Sequence, residues 1–285
     1  MSNEFGGDWT EQKLAILDKY LGAYSAIFRK NERAKFFKTI YVDAFAGTGE
    51  IGQPNEESED DQAGLLAGSA QRAIHHSFDK YIFIEKSADR VSKLQELKKT
   101  SGVGDKIDIR RGDANAELLK LIKQTDWKTH RAVVFLDPYG MQVDWTTIEA
   151  IAATEAIDLW LLFPIGQAVM RLLLKGAKPP PKWSACLDRV LGTSDWKKKF
   201  YSSFIQPDLW GGETVTTYRH ADWRVVTKFF VERLQSVFNQ AHPKPAVLRN
   251  SNNTPLYLLC FAAANPKGAK IALKIANHLL KPLGN

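Results

Sequence analysis

Between residues 39 and 163, short runs rich in β-branched and aromatic residues alternate without a break with stretches of helical period. Few folds accommodate that order. The strand-like runs are Thr39–Phe45, Lys80–Glu85, Lys106–Arg110, Arg131–Leu136 and Ile157–Phe163. The spacing predicts helices from Gly68-Ser69 through His76, over Ser87–Lys99 with Val91, Leu94 and Leu97 inward, over Ala116–Ile122 and over Trp145–Ala153. Strands separated by helical crossovers pair in parallel, so the expected fold class is α/β: a doubly wound, Rossmann-like sheet of five parallel strands.

The flanks complete this plan. A leading helix is expected over Glu11–Phe28, with Leu14, Ile16, Leu17, Tyr20, Leu21 and Tyr24 on one stripe and Thr10 as its N-cap. Residues 166–215, with Pro179-Pro180-Pro181 inside, read as a helical insertion. Beyond it come an amphipathic helix over Trp223–Phe238, strands at Ala246–Arg249 and Leu256–Ala263, and a last helix over Pro266–Leu280. The short polar turn at Ser251–Thr254 makes those two strands an antiparallel hairpin. The chain divides into a lead-in (1–38), a core (39–165), the insertion (166–215) and a C-terminal completion of the sheet (216–285).

In open α/β sheets, ligands bind beyond the carboxyl ends of the strands. Four of the five predicted parallel strands end in a residue pattern that suits a ligand. The first runs through Asp43-Ala-Phe-Ala-Gly47-Thr-Gly49, where glycines permit a tight turn and close approach to a ligand. The second ends on Glu85, either a ribose-binding acid or a solvent-exposed strand end. Its distance from the glycines is about twice the ~20 residues usual for such an acid, and an insertion over Ile51–Gly68 restores the spacing. The third precedes Gly112-Asp113-Ala114, a ligand contact or an ordinary helix cap. The fourth enters Asp137-Pro138-Tyr139-Gly140, an acceptor site or a β-turn.

Composition narrows the rest. The net charge of +7 and pI near 9.2 suit a polyanion partner as well as a solvated basic surface. Trp183, Trp196, Trp210 and Trp223, near Lys197–Lys199 and Arg224, read either as a base-stacking platform or, preferably, as core. Cys186 and Cys260 are expected to be buried thiols in a reducing, cytoplasmic setting. The acidic run over residues 54–61 lacks calcium-loop spacing, and His75-His76 reads as helix-terminal structure, so no metal is expected. No apolar run reaches the ~18 residues of a membrane span, and the N-terminus lacks a leader pattern.

Five parallel strands closed by an antiparallel hairpin resemble the class I S-adenosylmethionine-dependent methyltransferase fold. That resemblance implies S-adenosylmethionine as cofactor, held by Asp43, Phe45, Ala46, Gly47 and Gly49, by Glu85 and Lys86 at the ribose, by Asp113 and Ala114 at the adenine, and by Asp137. It also implies catalytic roles for Asp137, Pro138 and Tyr139, since Asp-Pro-Tyr-Gly is similar to the Asp/Asn-Pro-Pro-Tyr/Phe motif of amino-directed methyltransferases. The second proline is absent here; a similar Asp-Pro-Phe-Gly occurs in tRNA guanine-N2 methyltransferases. Over nearly the whole chain the sequence resembles the three-Cys-motif partner proteins of bacteria. The matching residues are Trp9-Thr-Glu-Gln-Lys13, Tyr20-Leu21, Asp43–Gly49, Gly68-Ser69, Phe83–Lys86, Phe135–Gly140, Leu162-Phe163-Pro164 and Tyr257–Phe261. This implies a methyltransferase-like domain that acts with a three-cysteine protein as partner, while the Asp-Pro-Tyr-Gly similarity implies N-methylation of a base in DNA or RNA. A non-catalytic cofactor-binding scaffold for that partner, or a protein or small-molecule methyltransferase, are the alternatives.

Overall fold

The computed structural model describes residues 8–47, 68–207 and 213–281. The chain opens with α1 (Asp8–Lys30), whose stripe of Leu14, Leu17, Tyr20, Leu21 and Tyr24 is buried. Then follow β1 (Lys38–Asp43), the helical residues 68–73 (α2), β2 (Lys80–Glu85), α3 (Ala88–Thr100), β3 (Ile107–Arg111), α4 (Ala114–Gln124), β4 (His130–Leu136), α5 (Trp145–Ala153) and β5 (Ile157–Phe163). A π-helical turn (Ile165–Val169) leads to α6 (Met170–Leu172), α7 (Pro181–Leu191) and α8 (Trp196–Phe200). Next come β6 (Tyr201–Pro207), β7 (Glu213–Arg219), α9 (Trp223–Val237), β8 (Gln240–Ala241), β9 (Ala246–Arg249), β10 (Pro255–Ala263) and α10 (Ala269–Leu280).

The main sheet has the order β3-β2-β1-β4-β5-β10-β8, with β9 also paired to β10. The first five strands are parallel and β10 is antiparallel to β5, with Leu258 opposite Phe163 and Ala263 opposite Asp158. Because side chains alternate across a strand, each strand feeds two cores. Ile40, Val42, Val134 and Leu161 face α4, α5, α7 and α9; Tyr41, Phe83, Phe135 and Trp160 face α1, α3 and α10. On the second face Trp160, Tyr20 and Phe261 form a buried ring cluster with centroids 4.9–5.2 Å apart. Such pairs add about 0.5–1.5 kcal/mol each beyond area burial. The last sheet edge is split: His242-Pro243-Lys244-Pro245 separates β8 from β9. The opposite edge, β3, reads Ile-Asp-Ile-Arg-Arg.

The five parallel strands and the closing hairpin match the sequence-based expectation, and β2, α5, β5 and β9 match it to the residue. Four expectations are corrected. Thr10 is not a cap, since α1 already begins at Asp8 and Thr10 is buried within it. The segment 166–215 is not wholly helical: β6 and β7 pair as an antiparallel two-stranded sheet, Tyr201 opposite Arg219. Thr214, Thr216 and Thr217 favour the extended state there. The helix before β2 ends at residue 73, leaving His75-His76 in a turn, where His76 Nε2 lies 2.7 Å from Asp18 Oδ1. Cys260 is buried, and burial pushes its thiol well up, but Cys186 is only half-buried. The acidic run, Trp210 and Gly49 lie outside the described residues.

Candidate functional site

Asp43 and Asp137 follow one another across the sheet at the carboxyl ends of neighbouring strands, β1 and β4. Asp43 is fully buried. Ser69 Oγ donates to its Oδ2 at 2.6 Å, and the Phe45 amide donates to its Oδ1 at 3.3 Å. Burial pushes the Asp43 carboxyl up to about 7; the Ser69 bond opposes the rise, and the nearby Asp137 charge adds to it. Asp43 thus holds the start of the loop after β1 through the Phe45 amide. Ala44 and Phe45 form the turn after it, and Gly47 adopts φ +60°, a conformation that strains other residues.

Glu85, at the end of β2, ties two loops together. Its Oε1 accepts from the Lys86 and Ser87 amides at 2.8 Å each, and its Oε2 accepts from the Gly47 amide at 3.1 Å. A carboxylate has about four acceptor positions, so among the described residues three are filled and one is left. Asp113 sits beyond β3 as the N-cap of α4, accepting from the Ala116 amide at 3.1 Å, with Ala114 as the first helical residue.

Asp137 is held by a residue the sequence reading did not select. Lys13 Nζ donates to Asp137 Oδ2 at 2.5 Å, with the two side chains 3% and 6% exposed, and Lys13 lies 6.0 Å from the Phe135 ring. Lys13 belongs to the buried stripe of α1, one turn before Leu17, so a lysine on an apolar stripe was the available signal. One turn earlier on the same helix, Thr10 Oγ1 is buried without a hydrogen-bond partner among the described residues. Beyond Asp137, the Tyr139 amide donates to Gln142 Oε1 at 2.9 Å, and the Tyr139 side chain is 61% exposed. Pro138, Gly140, Met141, Phe163, Pro164 and Phe230 line an apolar recess beside it. No described residue donates to Asp137 Oδ1.

These residues fit an adenosyl cofactor: a buried acid holding the start of a positive-φ loop and, among the described residues, a second strand-end acid with an acceptor position left and an unbonded buried hydroxyl at Thr10. Among the described residues no group of three or more metal-ligating side chains occurs, and no helix is long and apolar enough to cross a membrane.

No family model and no curated protein matches the chain. Solved structures do resemble it. Protein LPL1258 from Legionella pneumophila is 12% identical, covering 98% of this chain and 94% of its own, with a TM-score of 0.51. The CcbJ methyltransferase from Streptomyces caelestis is 13% identical over 92% of this chain and 94% of its own, with a TM-score of 0.39. The N-terminal domain of EvdMO1 with SAH bound is 11% identical over 87% and 80%, with a TM-score of 0.38. At these identities the likeness concerns fold alone. With its strand order and antiparallel closing hairpin, the chain has a Rossmann-like class I methyltransferase fold.

Proposed function

We propose that the protein is an S-adenosylmethionine-dependent methyltransferase acting on an amino nitrogen of a nucleic-acid base, together with a three-cysteine partner protein. The observation that carries this reading is Asp137: one carboxylate oxygen is fixed by Lys13, the other receives no donor among the described residues, and an exposed aromatic ring follows two residues later.

Bound S-adenosylmethionine supplies an electrophilic methyl group on a sulfonium. Residues 43–47, Glu85, Lys86, Asp113 and Ala114 are the chain's own candidates to hold it, and Thr10 and Lys13 offer polar groups at the same edge. Among the described residues Glu85 has one acceptor position left, so gripping both hydroxyls of a ribose requires it to release one of its three amide donors. Asp137 Oδ1 and the Pro138 carbonyl accept the two hydrogens of the acceptor amine, which turns the nitrogen lone pair outward. Lys13 sets the rotamer through Oδ2. Tyr139 supplies a stacking face for a planar base swung out of its helix. Catalysis by these residues is positioning, with no covalent enzyme intermediate.

One observation favours a second reading, a cofactor-binding scaffold for the partner. Asp137 already has a counter-ion and Glu85 already has three donors, as in a site that is complete without substrate. Asp137→Ala separates the two. Radiolabelled methyl transfer to RNA, DNA or the partner is expected to fall at least 100-fold, while calorimetric binding of S-adenosylhomocysteine persists. Transfer unaffected by the substitution refutes the assigned role, and cofactor binding without transfer to any acceptor by the wild type supports the scaffold.

A further inference from the structure

The register of the sheet brings a second group of residues to the edge that carries Asp137. β9 runs antiparallel to β10, with Ala246 opposite Leu259 and Arg249 opposite Pro255. Leu259 in turn lies opposite Leu162, one residue beyond the Leu136–Leu161 pair that precedes Asp137. Arg249 therefore projects three residues past the level of Asp137, three strands away. Strand spacings of about 4.8 Å and rises of about 3.4 Å per residue set the separation at roughly 17 Å. The turn after β5 closes the gap between them: a Cβ on Gly166 would stand 1.8 Å from the Pro255 carbonyl oxygen.

At this point Arg249 meets the start of α9. The Arg224 and Arg249 guanidiniums lie 4.7 and 5.2 Å from the centroid of one ring, that of the half-buried Trp223. Both guanidiniums thus share one aromatic ring, each at cation–π distance. Their acidic surroundings are thin. Among the described residues Arg224 pairs only with the exposed Asp222, at 3.2 Å, and Arg249 has no carboxylate partner, donating instead to the Asn253 carbonyl at 2.9 Å. Three residues before Asp222, β7 ends in Arg219. On the face of the hairpin that includes Ser202, Thr216 and His220, Phe204 and Tyr218 are exposed with ring centroids 6.3 Å apart. Exposed Lys198 and Lys199 lie just before β6.

We infer that the Trp223–Arg224–Arg249 cluster, together with the Phe204/Tyr218 face of the hairpin that ends three residues before Asp222, forms the track for a single-stranded segment of a polynucleotide flanking the base presented to Asp137. The inference rests on the proposed methylation of a nucleic-acid base and says where the rest of the substrate lies. Two guanidiniums held on an indole present donors to phosphate oxygens without losing rotamer freedom on binding. Phe204 and Tyr218 add flat apolar faces of the kind on which unpaired bases stack. A protein partner would be served by the aromatics, whereas two arginines with one carboxylate between them among the described residues favour a polyanion at the same edge.

The test uses the full chain and a fluorescein-labelled single-stranded RNA of about 20 nucleotides and mixed sequence, read by anisotropy from low salt upward. Each phosphate contact to a single strand contributes about 0.7 to the slope of log K against log salt. Arg224→Gln/Arg249→Gln is expected to flatten that slope by about 1.4 and to weaken binding several-fold at 50–200 mM salt. The control Lys270→Gln/Lys274→Gln, which removes the same charge from the exposed face of α10, is expected to leave the slope unchanged. Equal flattening by both variants, no flattening by the arginine pair, or no RNA binding by the wild type overturns the inference. Calorimetry with S-adenosylhomocysteine keeps the two proposals apart. Arginine-independent RNA binding with intact cofactor binding sinks the track alone. Arginine-dependent binding without any cofactor binding retains the track and sinks the methyltransferase reading.

Discussion

Replacing Lys13 with methionine is expected to cost more stability than any exposed ion pair could. The Lys13–Asp137 pair is 2.5 Å long, and both side chains are almost wholly removed from water. Exposed pairs contribute about 0–1 kcal/mol. Removing one member of a buried pair leaves the other charge uncompensated, which typically costs about 3–5 kcal/mol. Here Asp43 lies close enough for its carboxyl to be affected by the Asp137 charge, so the orphaned carboxylate also faces a second acid. Lys13→Met should therefore lower the unfolding free energy by about 3–5 kcal/mol and the melting temperature by roughly 10 °C. Urea unfolding with an unchanged m-value would show that stability itself had moved. Asp137→Asn should be costly for the mirror-image reason, and the double variant should cost clearly less than the two singles together. A loss below about 1 kcal/mol in Lys13→Met, or single costs that add within about 0.5 kcal/mol, would refute the buried pair.

Two further outcomes follow from buried acids. Burial pushes the carboxyls of Asp43 and Asp158 up to about 7, so the native state holds protons that the unfolded chain has released. Their stabilising contribution is complete below the unfolded value near 3.8 and is lost as pH rises through about 7. Each contributes a slope of up to about 1.4 kcal/mol per pH unit between those limits. Urea titrations between pH 4.5 and 7 should show falling stability, and Asp43→Asn should shallow the decline; a flat profile would refute the assignment. Tyr20→Phe removes the donor 2.6 Å from Asp158 Oδ2. Hydrogen bonds to charged groups contribute about 1.5–3 kcal/mol against about 1 for neutral ones, so the variant should lose more stability at pH 8 than at pH 5, and a pH-independent loss would contradict this.

The parts of the fold that were legible in the sequence are those whose boundaries carry chemistry. β2 and β5 are nearly continuous apolar runs because both faces are buried, and each stops at a residue that breaks the run, Glu85–Lys86 or Pro164. The strand-end acids Asp43, Glu85 and Asp137 stood out for the same reason. Lys13 did not, because a single lysine beside Leu14 reads as solvated until the helix is docked; only the sheet supplies Asp137, 124 residues away. Thr10 was misread by position: a threonine before an apolar stripe is a good cap, but the helix begins before it, at Asp8. β6 and β7 follow helices that are dense in tryptophan and lysine, and their own alternation is short. β8 is a two-residue pairing set by β10 rather than by its own composition. Asp113 illustrates a limit of residue type, since the same side chain satisfies the helix-cap pattern and the adenine pattern.

The two borders of the main sheet have a consequence for how copies of this chain meet in a crowded solution. An open strand border offers unpaired amides and carbonyls to any other strand, which is the usual seed of ordered aggregation. On one side, β3 sets Asp108, Arg110 and Arg111 along that border. On the other, Pro243 and Pro245 remove two amide donors and place Lys244 between the half-strands β8 and β9. Strand addition is discouraged by charge on one side and by missing donors on the other. A partner that docks on this protein therefore has reason to use helices, loops or the small β6–β7 hairpin, leaving the large sheet free to hold the strand ends in register.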